Sequence, residues 1–278
     1  MTAAGAVARY AVVGNPISHS LSPRIHARFA EQTGQALSYQ AIELDVDGFR
    51  SGVQDLQQQG YAGLNVTVPF KRDAWEICDR RSRLAEDAGA VNTLSLRPDG
   101  GISGDNTDGT GLVRDLETNL QCVLAGKRIL LLGAGGAARG VIGPLLDLTP
   151  RSLVIANRTP ARAVELVGIF TGRGEMHAAG FDELGDAHFE LVINATAAGL
   201  TGELPPLPAS CIDTGTICYD MMYDLAAPTA FVAWARSRGA ALACDGLGML
   251  VEQAAEAFFI WRGVRPNSAD VIAMLRPH

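Results

Sequence analysis

Short apolar runs separated by amphipathic stretches recur along the whole chain. From Lys127 onward the runs RILLLG, SLVIANR, ELVINAT, ICYDMMY and ALACDG each have the composition of a buried strand. Earlier in the chain, YAVVG and the segments near 38–43 and 63–68 have the same character. Continuous apolar strands that alternate with helices are typical of a parallel sheet covered on both faces. The pattern therefore predicts an α/β protein.

The alternation breaks once, which indicates two domains, as does a length of 278 residues. An amphipathic stretch at 109–121 separates the two series of strands, so we expect a first domain at 1–110 and a second at 111–245. Residues 246–278 return to a helical pattern, and we expect these last helices to pack back on the first domain. Their apolar face consists of Val251, Ala254, Ala255, Phe258 and Phe259.

Composition and charge narrow the classes of protein that remain. No apolar run approaches the ~18 residues that span a membrane, and no basic segment precedes the first apolar stretch, so neither a membrane span nor a signal peptide is expected. Five scattered cysteines without a CxxC pair favour the cytoplasm and argue against a disulfide framework or a metal site. A net charge of −7 argues against nucleic-acid binding.

A glycine cluster stands between the strand RILLL and a helix of small residues. Gly133, Gly135 and Gly136 permit a tight turn and a close approach of the backbone to a pyrophosphate at the helix N-terminus. Ala138 takes the third position of the usual motif, where helix and strand still pack closely. Glycines also serve ordinary turns, but strand, turn and helix together predict a dinucleotide site.

The end of the next strand indicates which dinucleotide binds. An NAD site usually places Asp or Glu there, whereas this chain has Asn157, Arg158, Thr159 and Arg162. Two guanidiniums and a hydroxyl suit a 2′-phosphate, and the alternative is a solvated basic helix start. Because arginine is poorly placed at a helix N-terminus unless an anion is bound, we predict NADP.

The segment NVTVPFK, residues 65–71, combines a strand pattern with polar chemistry. Val66 and Val68 share the side that a buried strand covers, while Asn65 and Thr67 share the other side and Lys71 follows. Burial does not explain the polar half or the lysine. We therefore expect Asn65, Thr67 and Lys71 to face a ligand.

Two serines precede the first helix, in GNPISHSLSPRIH. Ser22 has the character of an N-cap with Pro23 at the first helical position, and Ser20 lies two residues upstream. Either both serines only shape this turn, or their hydroxyls and the helix end hold a carboxylate. His26 is expected to pack on the helix, and His19 to belong to the loop.

Further polar residues of the first domain lie at strand ends or loop mouths. Asn92 lies in AVNTL and Asp108 in GDNTDG, and both are also common turn residues. Together with Lys71, Asn65 and Thr67 they predict a site for a polyol with one proton-transfer pair.

The chain resembles the shikimate dehydrogenase family over nearly its whole length. The matching motifs occur in the same order as in the family: GNPISHSLSP, NVTVPFK, AVNT, DNTDG, GAGGAARG, NRT with Arg162, NAT, YDMMY and DGLGMLVEQ. One difference is Ala197 after NAT, where the family is expected to have serine.

The resemblance implies a fold, an activity and a set of site residues. The fold is an N-terminal α/β substrate domain plus a Rossmann-like, doubly wound NADP domain, with the active site in the cleft between them. The activity is the reversible NADPH-dependent reduction of 3-dehydroshikimate to shikimate, on the route to chorismate and the aromatic amino acids. Lys71 and Asp108 would form the catalytic pair, and which of them carries the proton is left open.

The remaining site residues follow from the same resemblance. Those expected around the substrate are Ser20, Ser22, Asn65, Thr67, Asn92, Tyr223 and Gln253. Those expected around NADP are Gly133, Ala134, Gly135, Gly136, Ala137, Asn157, Arg158, Thr159, Arg162, Thr196, Met221 and Gly246. No metal, nucleic acid or membrane partner is expected, and the chain would be a monomer or a homodimer.

Three other functions agree with parts of the same pattern. A quinate or dual quinate/shikimate dehydrogenase is disfavoured by the two serines and the arginines. A catalytically silent NADP- or shikimate-binding homologue is disfavoured by the intact Lys71–Asp108 pair. A glutamyl-tRNA-reductase-like enzyme would need a nucleophilic cysteine and a basic surface, and only Cys78 is a candidate in a chain of charge −7.

Overall fold

The computed structural model describes residues 7–196 and 203–276, which fall into two compact units. One unit contains the described residues up to 111 together with 251–276, and the other contains 112–250. Each unit is built around a six-stranded sheet with helices. The predicted α/β class is confirmed.

The first unit contains a mixed sheet. Its strands are β1 Ala8–Gly14, β2 Leu37–Glu43, β3 Tyr61–Val66, β4 Arg80–Arg81, β5 Thr93–Leu96 and β6 Ile102–Asp105. The strand order is β2-β1-β3-β5-β6-β4. Strand β1 runs parallel to β2 and β3, whereas β5 is antiparallel to both of its neighbours. This hairpin differs from the parallel sheet that the apolar runs predict, and the Pro-Asp-Gly-Gly turn after Arg97 is the feature that allows it.

The second unit contains a sheet in which every paired strand is parallel. Its strands are β7 Arg128–Leu132, β8 Ser152–Ala156, β9 Met176–Ala179, β10 Leu191–Asn194, β11 Ile217–Asp220 and β12 Leu242–Cys244. The order β9-β8-β7-β10-β11-β12 is that of a Rossmann fold, as predicted. On β7, Ile129 and Leu131 enter one core cluster and Leu130 and Leu132 another, so both faces are covered. The short strand β9 was not predicted.

Ten α-helices connect or follow these strands in the described part of the chain. They are α1 Ser22–Thr33, α2 Phe49–Gln58, α3 Lys71–Ile77, α4 Arg83–Ala88, α5 Asp108–Arg114, α6 Gly136–Asp147, α7 Pro160–Ile169, α8 Ala230–Ser237, α9 Leu247–Arg262 and α10 Ser268–Leu275. A π-helix, Asp115–Asn119, continues α5. None of the described helices is long and apolar enough to cross a membrane.

The strand in NVTVPFK is shorter than the sequence predicts. Strand β3 ends at Val66, which is buried, and Thr67 follows it half-buried. The prediction that Val68 is buried is wrong, because its side chain is 69% exposed. Pro69 cannot donate to the ladder, so the chain turns away from the sheet, and Phe70 fills the core instead, stacked on Phe49.

The apolar face of α9 is confirmed at four of its five predicted positions. Val251, Ala254, Ala255 and Phe258 are buried, whereas Phe259 is 40% exposed and its ring is covered by the Arg265 guanidinium at 4.7 Å. Trp261, farther along α9, donates its indole N–H to the Leu94 carbonyl of β5 at 3.1 Å. A Cβ on Gly63 would lie 2.5 Å from that indole nitrogen, so only glycine permits this close approach to the sheet.

His26 lies in an aromatic cluster, as its helical position predicts. Its ring is 1% exposed and stacks on Tyr39 with centroids 4.1 Å apart and an interplanar angle of 5°. Phe29, Phe258 and Trp261 surround it. Neither ring nitrogen has a hydrogen-bond partner among the described residues. Burial lowers the pKa of His26 from 6.5 to about 3.

This burial predicts a specific pH dependence of stability. The unfolded chain can protonate His26 below pH 6.5, whereas the folded chain resists protonation until about pH 3. Stability is therefore lost as the pH falls from 6.5 towards 3. The unfolding free energy of the wild type should fall by about 2 kcal/mol more than that of His26→Phe when the pH is lowered from 7 to 5, because the variant has no imidazole to protonate. Urea unfolding followed by tryptophan fluorescence measures this difference.

His19 provides the matched control, since it is an exposed histidine in the same unit. His19→Asn shows what the loss of an exposed histidine does to the unfolding free energy under the same conditions. A His26→Phe difference that does not change with pH would show that the folded chain accepts the proton at this site.

Candidate active site

The polar residues of the first unit converge at one edge of its sheet. The carboxyl ends of β1 and β3 lie at the same edge because the strands are parallel. Antiparallel pairing then places the start of β5 and the end of β6 at that edge too, with Asn65 opposite Thr93 and Thr93 opposite Asp105. The loops that carry Lys71, Asn92 and Asp108 therefore begin or end at neighbouring points.

Lys71 and Asp108 form a close ion pair. Lys71 is the first residue of α3, and its Nζ donates to Oδ2 of Asp108 at 2.6 Å. Asp108 is the first residue of α5, where the positive end of the helix favours a carboxylate. The side chains remain 32% and 20% exposed, so a ligand can reach both. The structure thus brings the two predicted catalytic residues together.

Asn92 holds this carboxylate from the other side. Its Nδ2 donates to Oδ1 of Asp108 at 2.8 Å, and its Oδ1 accepts from the backbone N–H of Thr107 at 2.9 Å and from the hydroxyl of Thr93 at 2.9 Å. Gln253 lies within 3.4 Å of Nδ2. Asn92 is 3% exposed and its amide orientation is fixed by the Thr107 N–H, which can only donate.

Asn65 is also buried, at 6% exposure, and is paired on both sides of its amide. Its Nδ2 donates to the carbonyl of Asn92 and to the hydroxyl of Thr93, and its Oδ1 accepts from the hydroxyl of Tyr39. Asn65 therefore belongs to the hydrogen-bond network behind Lys71 and Asp108. Thr67 packs its methyl against Gly14, where an added Cβ would come within 2.6 Å.

The prediction that Ser22 caps α1 is wrong. Leu21 occupies the N-cap position in a helical conformation, Ser22 is already helical, and no side chain caps the helix. Instead, Oγ of Ser20 accepts from the backbone N–H of Ser22 at 3.3 Å, and Pro23 is the second helical residue. The Ser22 side chain is buried and that of Ser20 half-buried.

The glycine turn of the second unit has the geometry that an anion site requires. Gly133 has φ +100°, a conformation that favours glycine. Gly135 is the N-cap of α6, and as a glycine it has no side chain to bond the first N–H groups of the helix. A Cβ added to Gly135 or Gly136 would meet no described atom within 4 Å. Gly135, Gly136 and Ala137 are exposed and Ala134 is half-exposed, so the first N–H groups of this helix lie at the surface of the unit.

The next strand, β8, ends at an exposed basic loop. Arg158, Thr159 and Arg162 are exposed, and neither guanidinium has an ion-pair partner within residues 7–196 or 203–276. Asn157 donates to the carbonyl of Thr159 at 2.9 Å, which shapes the turn before α7. Two unpaired cations next to a glycine turn fit the 2′-phosphate of NADP.

Two buried side chains organise the other loops of the second unit. Asp220 is fully buried and accepts from Nδ2 of Asn194, from the Met222 N–H and from the Thr229 hydroxyl. Burial raises the pKa of its carboxyl. Oδ1 of Asn194 in turn accepts from the N–H and the hydroxyl of Thr196. Asn194 and Asp220 are both polar residues that end buried strands, and neither was predicted as a site residue.

These bonds fix the segments that carry the remaining predicted residues. The Met221 N–H donates to the Asn194 carbonyl, and the Gly246 N–H donates to the Met222 carbonyl. A Cβ on Gly246 would lie 2.4 Å from the Met221 carbonyl oxygen, so glycine is required there. Tyr223 is half-buried, and burial raises its pKa. Ala197 lies outside the described residues. No cluster of three metal-ligating side chains occurs in the described part of the chain.

Known families match both units. The model described as Shikimate dehydrogenase substrate binding domain matches residues 12–94. Shikimate / quinate 5-dehydrogenase matches 116–229, and Shikimate 5'-dehydrogenase C-terminal domain matches 246–275.

Individual proteins are similar over nearly their full length. Shikimate dehydrogenase (NADP(+)) of Alkalilimnicola ehrlichii is 59% identical, over 97% of this chain and 98% of that protein. The Ael1 enzyme from Pseudomonas putida is 46% identical with a TM-score of 0.92, and the match covers 98% and 99% of the two chains. Shikimate 5-dehydrogenase from Thermus thermophilus, solved with NADP(H) and shikimate, is 31% identical with a TM-score of 0.85, over 97% and 98%. The chain therefore belongs to the shikimate dehydrogenase family, as its sequence motifs predicted.

Proposed function

We propose that this chain is an NADP-dependent shikimate dehydrogenase, which reversibly reduces 3-dehydroshikimate to shikimate. The contact between Lys71 Nζ and Asp108 Oδ2 carries the proposal, because oxidation of an alcohol needs a group that takes its proton. The amides and hydroxyls around the pair suit a ligand with several hydroxyl groups. The similar protein of Alkalilimnicola ehrlichii is a shikimate dehydrogenase (NADP(+)), and that of Thermus thermophilus was solved with NADP(H) and shikimate.

The residues of the first unit would bind the substrate and move the proton. Ser20 and Ser22 would hold the carboxylate, while Thr67 and Gln253 would contact ring hydroxyls. Bound NADP would supply the hydride acceptor. Lys71 and Asp108 share one short hydrogen bond, so the hydroxyl proton would pass to the pair as a unit, and Asn92 would keep the carboxylate in place.

The second unit would bind NADP. Its helix N-terminus at Gly135 and Gly136 would receive the pyrophosphate, and Arg158 and Arg162 the 2′-phosphate. Tyr223 would be a substrate residue, as the family resemblance implies. The other cofactor residues of this proposal are Gly133, Ala134, Ala137, Asn157, Thr159, Thr196, Met221 and Gly246.

We further propose that the protein acts in the cytoplasm, as a monomer or a homodimer. Its five cysteines are all unbridged, as a reducing compartment requires.

A comparison of substrates and cofactors tests the function. The enzyme should have its highest kcat/KM with shikimate and NADP, and lower values when quinate replaces shikimate or NAD replaces NADP. Steady-state assays of the four combinations measure this. A higher kcat/KM with quinate would assign the quinate activity instead, and no turnover in any combination would support a silent homologue.

Replacing the lysine tests the proton-transfer pair. Lys71→Met keeps the length of the side chain and removes the amine, so kcat should fall about 10²–10⁴-fold while the KM for shikimate changes much less. Asp108→Asn should be similarly severe, and the double variant far from additive. Arg72→Met is the matched control, since Arg72 is the neighbouring cation of α3 and its side chain is 84% exposed. Wild-type kcat in Lys71→Met would remove the lysine from the mechanism.

Removing one arginine tests the cofactor assignment. Arg158→Ala should weaken NADP by about 10- to 150-fold, since a charge-assisted hydrogen bond contributes ~1.5–3 kcal/mol, and should leave NAD nearly unchanged. Arg151, an exposed arginine just before β8, provides the control, and Arg151→Ala should bind both cofactors normally. Titration of each cofactor measures the dissociation constants. An equal loss for NADP and NAD would contradict a 2′-phosphate contact.

A further inference from the structure

Tyr39 connects an outer strand of the first sheet to the network behind the ion pair. It lies on β2, and its hydroxyl donates to Oδ1 of Asn65 on β3 at 2.7 Å. Burial raises the pKa of Tyr39 well above 10, an effect that the hydroxyl of Ser22 reduces, so the phenol keeps its proton and acts as a donor. Tyr39 is therefore beside two residues that the family resemblance places around the substrate, Ser22 and Asn65.

The hydrogen bonds of Asn65 leave little capacity for a ligand. Its two N–H donors go to the Asn92 carbonyl at 3.2 Å and to the Thr93 hydroxyl at 3.1 Å. The Asn92 carbonyl can only accept, so Nδ2 must face it and Oδ1 must face Tyr39. An amide oxygen has two lone pairs, and Tyr39 uses one. A ligand can then interact with Asn65 only by donating to the other.

The Tyr39 ring is held in place by its neighbours. His26 stacks on one face with nearly parallel planes, and Trp261 lies 6.5 Å away at 42°. No atom of the described residues lies in hydrogen-bond geometry with either ring nitrogen of His26, although Asn65 is near enough to raise the pKa of His26 against the effect of burial. His26 therefore contributes packing, and the phenol hydroxyl is the donor that fixes the amide.

We propose that Tyr39 is a positioning residue for the substrate. Its hydroxyl holds the Asn65 amide so that a single acceptor site remains for the ligand, and the substrate must present a hydroxyl group as a donor there. The inference rests on the proposed function, because it takes the ligand to be a polyol bound by Asn65.

Removing one hydroxyl group tests the proposal. Tyr39→Phe leaves the buried Oδ1 of Asn65 without its donor, and the KM for shikimate should rise roughly tenfold. The kcat and the dissociation constant for NADP should stay near the wild-type values. Steady-state kinetics measure the KM and kcat, and cofactor titration measures the dissociation constant. General damage to the fold would change all three values, whereas the proposed role changes only the KM.

Tyr10 supplies a matched control on the adjacent strand. Its Cα pairs with that of Tyr39 in the parallel register, and its ring stacks on Trp261 at 4.7 Å. The Tyr10 hydroxyl makes no hydrogen bond with any described residue, so Tyr10→Phe should leave the KM for shikimate unchanged. An equal rise in both phenylalanine variants would contradict the specific role of Tyr39.

A double-variant cycle tests whether Tyr39 acts through Asn65. In an Asn65→Ala background, Tyr39→Phe should change the KM for shikimate by less than about twofold, the usual error of additivity. A full tenfold effect in that background would overturn the proposal, as would a wild-type KM in the single Tyr39→Phe variant. Wild-type turnover of shikimate is measured first. Its absence would count against the proposed function, whereas normal turnover with an unaffected Tyr39→Phe would count only against this inference.

Discussion

One buried amide, that of Asn92, determines the arrangement of the ion pair in the first unit. The backbone N–H of Thr107 can only donate, so it fixes Oδ1 of Asn92 on one side and leaves Nδ2 for the Asp108 carboxylate. Oδ2 of Asp108 is then available to Lys71. Leaving any member of such a buried network unpaired costs about 1–3 kcal/mol, which is why its geometry is stable. The chemistry that we propose depends on this arrangement.

The second unit uses a buried carboxylate for a comparable purpose. Asp220 ends strand β11 and accepts hydrogen bonds from Asn194 at the end of β10 and from Met222 and Thr229 in the loop that follows β11. In both units a short polar side chain at the end of a strand converts an irregular loop into a defined surface. The sheets supply the rigid part, and these polar side chains extend that rigidity into the loops.

The sequence predicted features that depend on local pattern. The apolar strands of the second unit, the glycine turn at Gly133 and the packing of His26 all follow from residues close together in the chain. The capping role of Ser22 was predicted wrongly because Leu21 already has a helical backbone conformation, and the burial of Val68 because Pro69 ends the pairing of the strand. Phe259 was predicted wrongly because its ring lies at the edge of the apolar face of α9, where it is 40% exposed and contacts the Arg265 guanidinium. The bonds made by Tyr39 join separate strands, and no local pattern shows them.

The exposed basic loop at the end of β8 links the stability of the folded protein to its cofactor. Arg158 and Arg162 are both exposed and neither has an ion-pair partner in the described chain, so both charges are available to a bound anion. An anion that binds there stabilises the folded state by mass action, by ~2.7 kcal/mol at a hundred times its dissociation constant. The supply of cofactor in a cell would then govern how long each molecule stays folded, as well as how fast it turns over.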